Sequence, residues 1–252
     1  MLKFFQDWNT RRLIRQSQIS EADWREAVSR LPILNQLDID EHMRLLALAS
    51  LFLKKKAIDC TQGLELNDSQ RLLIALQACL LILKLDFTWF DGWYALIVYP
   101  DRFYSPQERT DEFGLVHQNK RALSGEAWLQ GPVILSWSDI EKNCILDGSN
   151  LIIHELAHKL DMCNGKANGM PPLHDNIAQD NWTQVFSKAY EDFQWRVQDG
   201  ETGGIDSYAA YSPAEFFAVL SEVFFETPER LRNLYPKAYQ LLCRFYRINR
   251  LA

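Results

Sequence analysis

In the first third of the chain, apolar residues recur at three- and four-residue spacing, as on helices that bury one stripe. "SEADWREAVSRL" opens at Ser20, a residue type that caps a helix by accepting a main-chain N–H of the first turn. "DIDEHMRLLALASLFLKKK" has acids at its start and lysines at its end, each matched to the helix dipole. "NDSQRLLIALQACLLILKL" follows, with Asn67 or Ser69 as cap, and the short "AIDC" between these two helices is a candidate strand. After residue 86 the pattern changes. "WYALIVYP" (93–100) predicts a strand stopped by Pro100, and "GPVILSW" (131–137) predicts another, rich in β-branched and aromatic residues. "DGSNLIIHELAHKLDMCNG" returns to helical spacing, with Ser149 or Asn150 as cap and Gly165 as stop. A polar stretch runs over 164–180, then a helix over about 181–198 and a loop with three glycines over 199–211. "SPAEFFAVLSEVFFE" starts sharply, with Ser212 as cap, Pro213 in the first turn and Glu215 three residues after the cap. Thr227-Pro228 ends it, and one or two short helices complete an α+β pattern with few strands and no internal repeat.

Composition narrows the function classes. At 252 residues the chain can bury a substantial core. Its net charge of −6, from 27 Lys+Arg and 33 Asp+Glu, does not suit an electrostatic nucleic-acid binder. The run Lys54–Lys56 reads as a favourable helix terminus. The longest apolar stretch, 72–85, contains Gln77 and falls short of the about 20 residues that span a bilayer, so no membrane partner is expected. Five cysteines in no CxxC pattern argue against a disulfide framework, and "MLKFFQDWNTRRLIRQ" lacks the apolar core of a secretory signal. A cytoplasmic setting is expected.

The candidate chemistry sits in "LIIHELAHKLD" (151–161). Residues four apart on a helix share a face, so His154 and His158 can offer imidazole nitrogens to one metal ion. Glu155 then reaches the ion's open side, where it can accept a proton from a bound water. Lys159 is off-pattern, since an uncharged residue usually follows the second histidine. A third histidine six residues on is excluded, because Asn164 stands there. Three carboxylates remain open as third ligand: Glu215, Glu222 and Asp206, in that order. Glu215 and Glu222, seven apart, share a helix face as one ligand and one partner of a ligating histidine would. Glu215 also has a purely structural reading, a capping box with Ser212. His174, in a loop flanked by prolines, and His117 read as ordinary histidines, and Cys163 as a small apolar filler.

Together with "IDSYAAYSPAEFFAVLSEVFFETPE", "FDGWYALIVYP", "GLVHQNKRALSGEAW" and "GPVILSWSDI", the "LIIHELAHKLD" segment resembles the Mlc titration factor A family, bacterial cytoplasmic zinc metallopeptidases. The resemblance covers about residues 30 to 245. That family is in turn similar to the catalytic domain of anthrax lethal factor. The resemblance implies a zincin-like fold with a small sheet beside the HExxH helix. It implies a helical N-terminal part (1–85) packed on a catalytic region (86–252), the whole forming one compact unit. It also implies one Zn²⁺ per chain held by His154, His158 and Glu215, with Glu155 as general base and Tyr208 as oxyanion donor. Asp161 and Glu222 are expected to orient the ligating histidines. The implied activity is aminopeptidase-like hydrolysis of peptides. The implied partner is the sugar-responsive transcriptional repressor Mlc. A rival reading keeps the zinc site latent or non-catalytic and makes sequestration of the repressor the main role. The 131–140 strand is expected to lie at a sheet edge and to pair with substrate backbone, so that proline at Ile134 or Ser136 would raise KM with the metal retained.

Overall fold

Each long helix of the first part begins where its capping residue predicts. The computed structural model describes residues 19–110, 116–123, 125–127 and 131–251, with backbone alone over 103–110 and 116–123 and at Glu126, Asn143 and Cys144. Helix α1 (Glu21–Ser29) starts after Ser20, whose Oγ accepts the Asp23 N–H at 3.0 Å. Helix α2 (Ile39–Lys55) has a full capping box, Asp38 with Glu41, and two lysines in its last turn. Helix α3 (Asp68–Leu80) repeats the device with Asn67 and Gln70, and ends before the turns at 81–85 that the sequence pattern assigned to it.

The sheet is small. Strand β1 (Ala57–Cys60) runs parallel to β2 (Ala95–Tyr99), and β2 runs parallel to β6 (Val133–Ser136). Strand β5 (Gly125–Ala127) closes the order β1-β2-β6-β5, antiparallel to β6. Leu96 and Val98 of β2 and Val133 and Leu135 of β6 are fully buried. A hairpin of β3 (Phe103–Thr110) and β4 (Val116–Leu123) stands as a separate two-stranded sheet. Its sequence is polar and carries Pro106, which cannot donate to a ladder, so no strand was legible there. His117 lies on β4, opposite Arg109.

One expectation is overturned here. β6 is not an edge, because it is held between β2 and β5; among the described residues the edges are β1 and β5. Proline at Ile134 would therefore break a paired interior strand rather than alter substrate binding alone.

After the single turn α4 (Trp137–Ile140) comes α5 (Leu151–Asp161), the helix of the histidine pair. It packs on α3, β5 and β6 and on α7 (Pro213–Glu226). Helix α7 is buried on every side from Phe216 to Glu226, with Phe216, Phe217, Phe224 and Phe225 essentially without exposure. Such a helix is a core element. Helix α6 (Gln179–Gln198) and the terminal helices α8 (Pro228–Leu234) and α9 (Pro236–Tyr246) lean on it. α8 and α9 each open with proline, where the missing N–H is not needed. One apolar cluster runs from Trp24 to Ile248. The chain is thus α+β, mostly helical, with three parallel strands and one antiparallel strand beside α5. No described helix is long and apolar enough to cross a membrane.

Candidate metal centre

Helix α5 is anchored at its first residue. Asn150, not Ser149, is the cap, and its Oδ1 accepts the Ile153 N–H at 3.1 Å. Its Nδ2 donates to Gln77 Oε1 of α3 at 2.8 Å and to Glu226 Oε1 of α7 at 2.9 Å. Its main-chain N–H donates to Glu222 Oε2. One buried asparagine thus ties three helices at the end of α5 nearest the histidines. Burial raises the Glu226 carboxyl to about 8, so at neutral pH it carries a proton.

The histidines lie one turn along. His154 Nδ1 meets Glu222 Oε1 at 2.7 Å, which fixes the ring and leaves Nε2 facing Glu215 Oε2 at 3.0 Å. His158 Nε2 reaches the same Glu215 oxygen at 3.2 Å. Glu215 comes from α7. Ser212 Oγ accepts its main-chain N–H at 3.2 Å, but its carboxylate does not turn back to complete a capping box. It goes to the histidines instead, and its second oxygen accepts from the Tyr208 hydroxyl at 3.2 Å. Tyr208 sits in the 3₁₀ turn Ser207–Ala210, whose cap is the Asp206 side chain. Asp206 is spent there and is not among the cluster's ligating side chains.

Donor atoms of His154, His158 and Glu215 lie within 4.8 Å of one another. Among the described residues this is the one such group of three or more ligating side chains. Two imidazole nitrogens and a carboxylate oxygen, with one histidine already oriented by an outer carboxylate, fit a divalent transition metal. The electrostatics agree. Burial opposes charge on His154, yet Glu222 and Glu215 hold its pKa well above the ordinary imidazole value. Burial likewise opposes charge on Glu215, yet the hydrogen bonds from both histidines hold it well below the usual carboxylate range. Glu222 is raised, because burial outweighs its contact with His154. Burial raises Glu155 to about 7, with both histidines pulling it partly back. A bound cation would draw these carboxylates down.

Glu155 lies against β5. A Cβ at Gly125 would overlap its carboxylate, so only glycine lets the strand pass this close. Among the described residues Asp161 makes no hydrogen bond to a histidine, and its Oδ1 is buried without a partner. Its Oδ2 accepts the N–H groups of Asn168 and Gly169, at 2.8 and 2.7 Å, and pins the loop after α5. His158 Nδ1 is buried without a partner. Lys159 turns away from the centre: its Nζ donates to Gly131 O at 2.9 Å and lies 5.7 Å from the Trp93 ring centroid. It fastens α5 to the turn before β6, which accounts for its off-pattern charge. His174 accepts no role here; its Nε2 is bonded to Phe245 O. Cys163 is exposed at the end of α5, its thiol donating to Trp89 O and Lys159 O, rather than a buried filler. The sequence pattern missed Asn150's ties to Gln77 and Glu226, and the contact at Gly125.

Two histidines four apart on one helix, with a carboxylate brought from a second, form the donor arrangement of a metal-dependent hydrolase. The chain belongs to the glucose-regulated metallo-peptidase M90 family, which it matches over residues 5–247. Mlc titration factor A of Escherichia fergusonii is 43% identical to it over 228 residues, 88% of this chain and 84% of that protein. The same-named protein of Salmonella arizonae is 43% identical over 229 residues, 89% and 90% of the two chains. That of Salmonella schwarzengrund is 42% identical over 236 residues, 92% and 88%.

Proposed function

We propose that the chain is a zinc-dependent peptidase of the zincin type, acting in the cytoplasm. His154, His158 and Glu215 would hold the ion, and Glu155 and Tyr208 would do the proton and oxyanion work. The observation that carries this is the convergence of two histidine Nε2 atoms on one oxygen of Glu215. Zinc in that place supplies a Lewis acid and lowers the pKa of a bound water towards neutrality. Glu155 accepts a proton from the attacking water at its carboxylate and returns it to the leaving amine. Tyr208 donates its hydroxyl to the oxyanion, a short swing from its place on Glu215. Glu222 holds His154 in the ligating orientation. Strand β5, an edge among the described residues and beside Glu155, is where substrate backbone adds as a strand. The substrates are small peptides, cleaved in an aminopeptidase-like way. Residues 1–85 serve as the helical support of a catalytic region at 86–252.

The test is hydrolysis of a mixed peptide library by zinc-loaded wild type and zinc-loaded Glu155→Gln. The expected result is cleavage by wild type and a loss of about 10²–10⁴-fold in the variant at equal zinc content. No cleavage by either, each with one zinc bound, overturns the peptidase reading.

A second reading rests on the relatives' name, Mlc titration factor A. It makes this chain a binder of the repressor Mlc, with or without hydrolysis. Glu155→Gln separates the two roles: binding of purified Mlc by the inactive variant supports an independent role. Loss of binding in a folded, zinc-loaded variant ties binding to the site.

A further inference from the structure

Charge is unevenly divided along this chain. Residues 228–252 carry six basic side chains (Arg230, Arg232, Lys237, Arg244, Arg247, Arg250) and one acid, Glu229. That surplus of five stands on a chain of net charge −6, so the remainder carries −11. A basic segment in an otherwise acidic chain is a place to look for a site that takes acidic groups.

Three of these arginines are in use. Arg230 donates to Asp147 O and Gly204 O, Arg250 to Ile33 O and Phe225 O, and Arg247 lies against His174. Arg232 of α8 and Arg244 of α9 differ. Both are exposed, and among the described residues neither makes a hydrogen bond or ion pair. Both line one groove of about 410 Å³ whose walls also include Pro236, Tyr239, Cys243 and Leu251. Tyr239 is buried there, its hydroxyl donating to Asn249 Oδ1 at 2.8 Å, so that wall is fixed. The groove shares no residue with the metal centre.

We propose that this α8–α9 groove is a docking surface for an acidic segment of a protein partner, one with carboxylates flanking an apolar side chain. Guanidinium groups pair carboxylates in a planar, two-point fashion, and two of them beside an apolar wall select a ligand that is acidic and greasy at once. A bare small anion would leave the apolar wall unused. The inference stands apart from the hydrolytic reading and needs no turnover to test.

The probe is a short acetylated, fluorescein-labelled peptide of glutamates around a central leucine pair. Its anisotropy is followed with the full, zinc-loaded chain. Wild type is compared with Arg232→Glu/Arg244→Glu and with a charge-matched control, Lys54→Glu/Lys188→Glu, at exposed lysines outside the groove's lining; circular dichroism melting checks that each is folded. The expected result is binding that weakens at least about tenfold in the arginine double variant, changes little in the control, and weakens as salt rises from about 50 to about 300 mM. No binding by wild type, or equal loss in both variants, overturns the proposal. So does displacement of the peptide by low-millimolar inorganic phosphate, which would make the groove a small-oxyanion site. Should an arginine double variant fail to melt cooperatively, Arg232→Gln and Arg244→Gln singly carry the same comparison.

Discussion

At the scale of single residues, Glu215 serves two structures with two of its groups. Its main-chain N–H belongs to the cap of α7, and its carboxylate belongs to the histidines. Glu215→Gln keeps the cap and removes the charge, so it should weaken metal binding with little change in helix content, read by chelator competition beside circular dichroism. Glu222→Gln should lower metal affinity by roughly 10–100-fold through misorientation of His154. An unchanged affinity would remove Glu222 from the centre. The histidine pair and Glu155 were legible because their relation is local, one turn of one helix. Glu222 was legible as a heptad partner of Glu215. Asp161, expected beside a histidine, spends one oxygen on two loop N–H groups, a contact that nothing in the sequence announces. Lys159 looked anomalous in sequence because nothing there reveals Gly131 O waiting across the fold.

At the scale of elements, capping chemistry placed the helices well, and strand pairing was only half visible. Ser20, Asp38, Asn67 and Ser212 all cap as their types suggest. The hairpin and β5 were invisible because polar strands held by backbone pairing leave no alternation to read. Asn150→Ala should destabilise the fold by about 1 kcal/mol from the lost cap, and by about 1–3 kcal/mol more from the buried partners left behind, measured by urea unfolding. Glu226 gives that region a pH signature. Its folded pKa of about 8 exceeds the model-peptide 4.5, so the folded chain keeps a proton that the unfolded chain releases. Its contribution to stability is complete below about 4.5 and is lost as pH rises towards 8. Glu226→Gln should flatten the fall in unfolding midpoint across that window. Gly125→Ala should leave zinc content intact and depress hydrolysis, since the new methyl must displace Glu155. Full activity in that variant would show that β5 yields freely.

At the scale of the whole molecule, the α+β class and the family were legible from the order of the motifs. The way the centre is assembled from distant stretches was not, since Gln77, Asn150 and Glu226 announce no mutual contact in sequence. Because a metal that binds only the folded chain stabilises it, zinc at a hundredfold excess over its Kd should add about 2.7 kcal/mol. The thermal midpoint should rise accordingly in wild type and not in His158→Ala; a rise in both would place the bound zinc elsewhere. The donor set also has an order in time. His154 and His158 join the growing chain before Glu215, which is added 57 residues after His158. At the usual pace of synthesis that gap lasts roughly 3 to 11 seconds. During it the nascent chain has His154, His158 and Glu155 but not Glu215, and α7, which must bury beside α5, does not yet exist. A centre built this way stays incomplete until its last helix has been made.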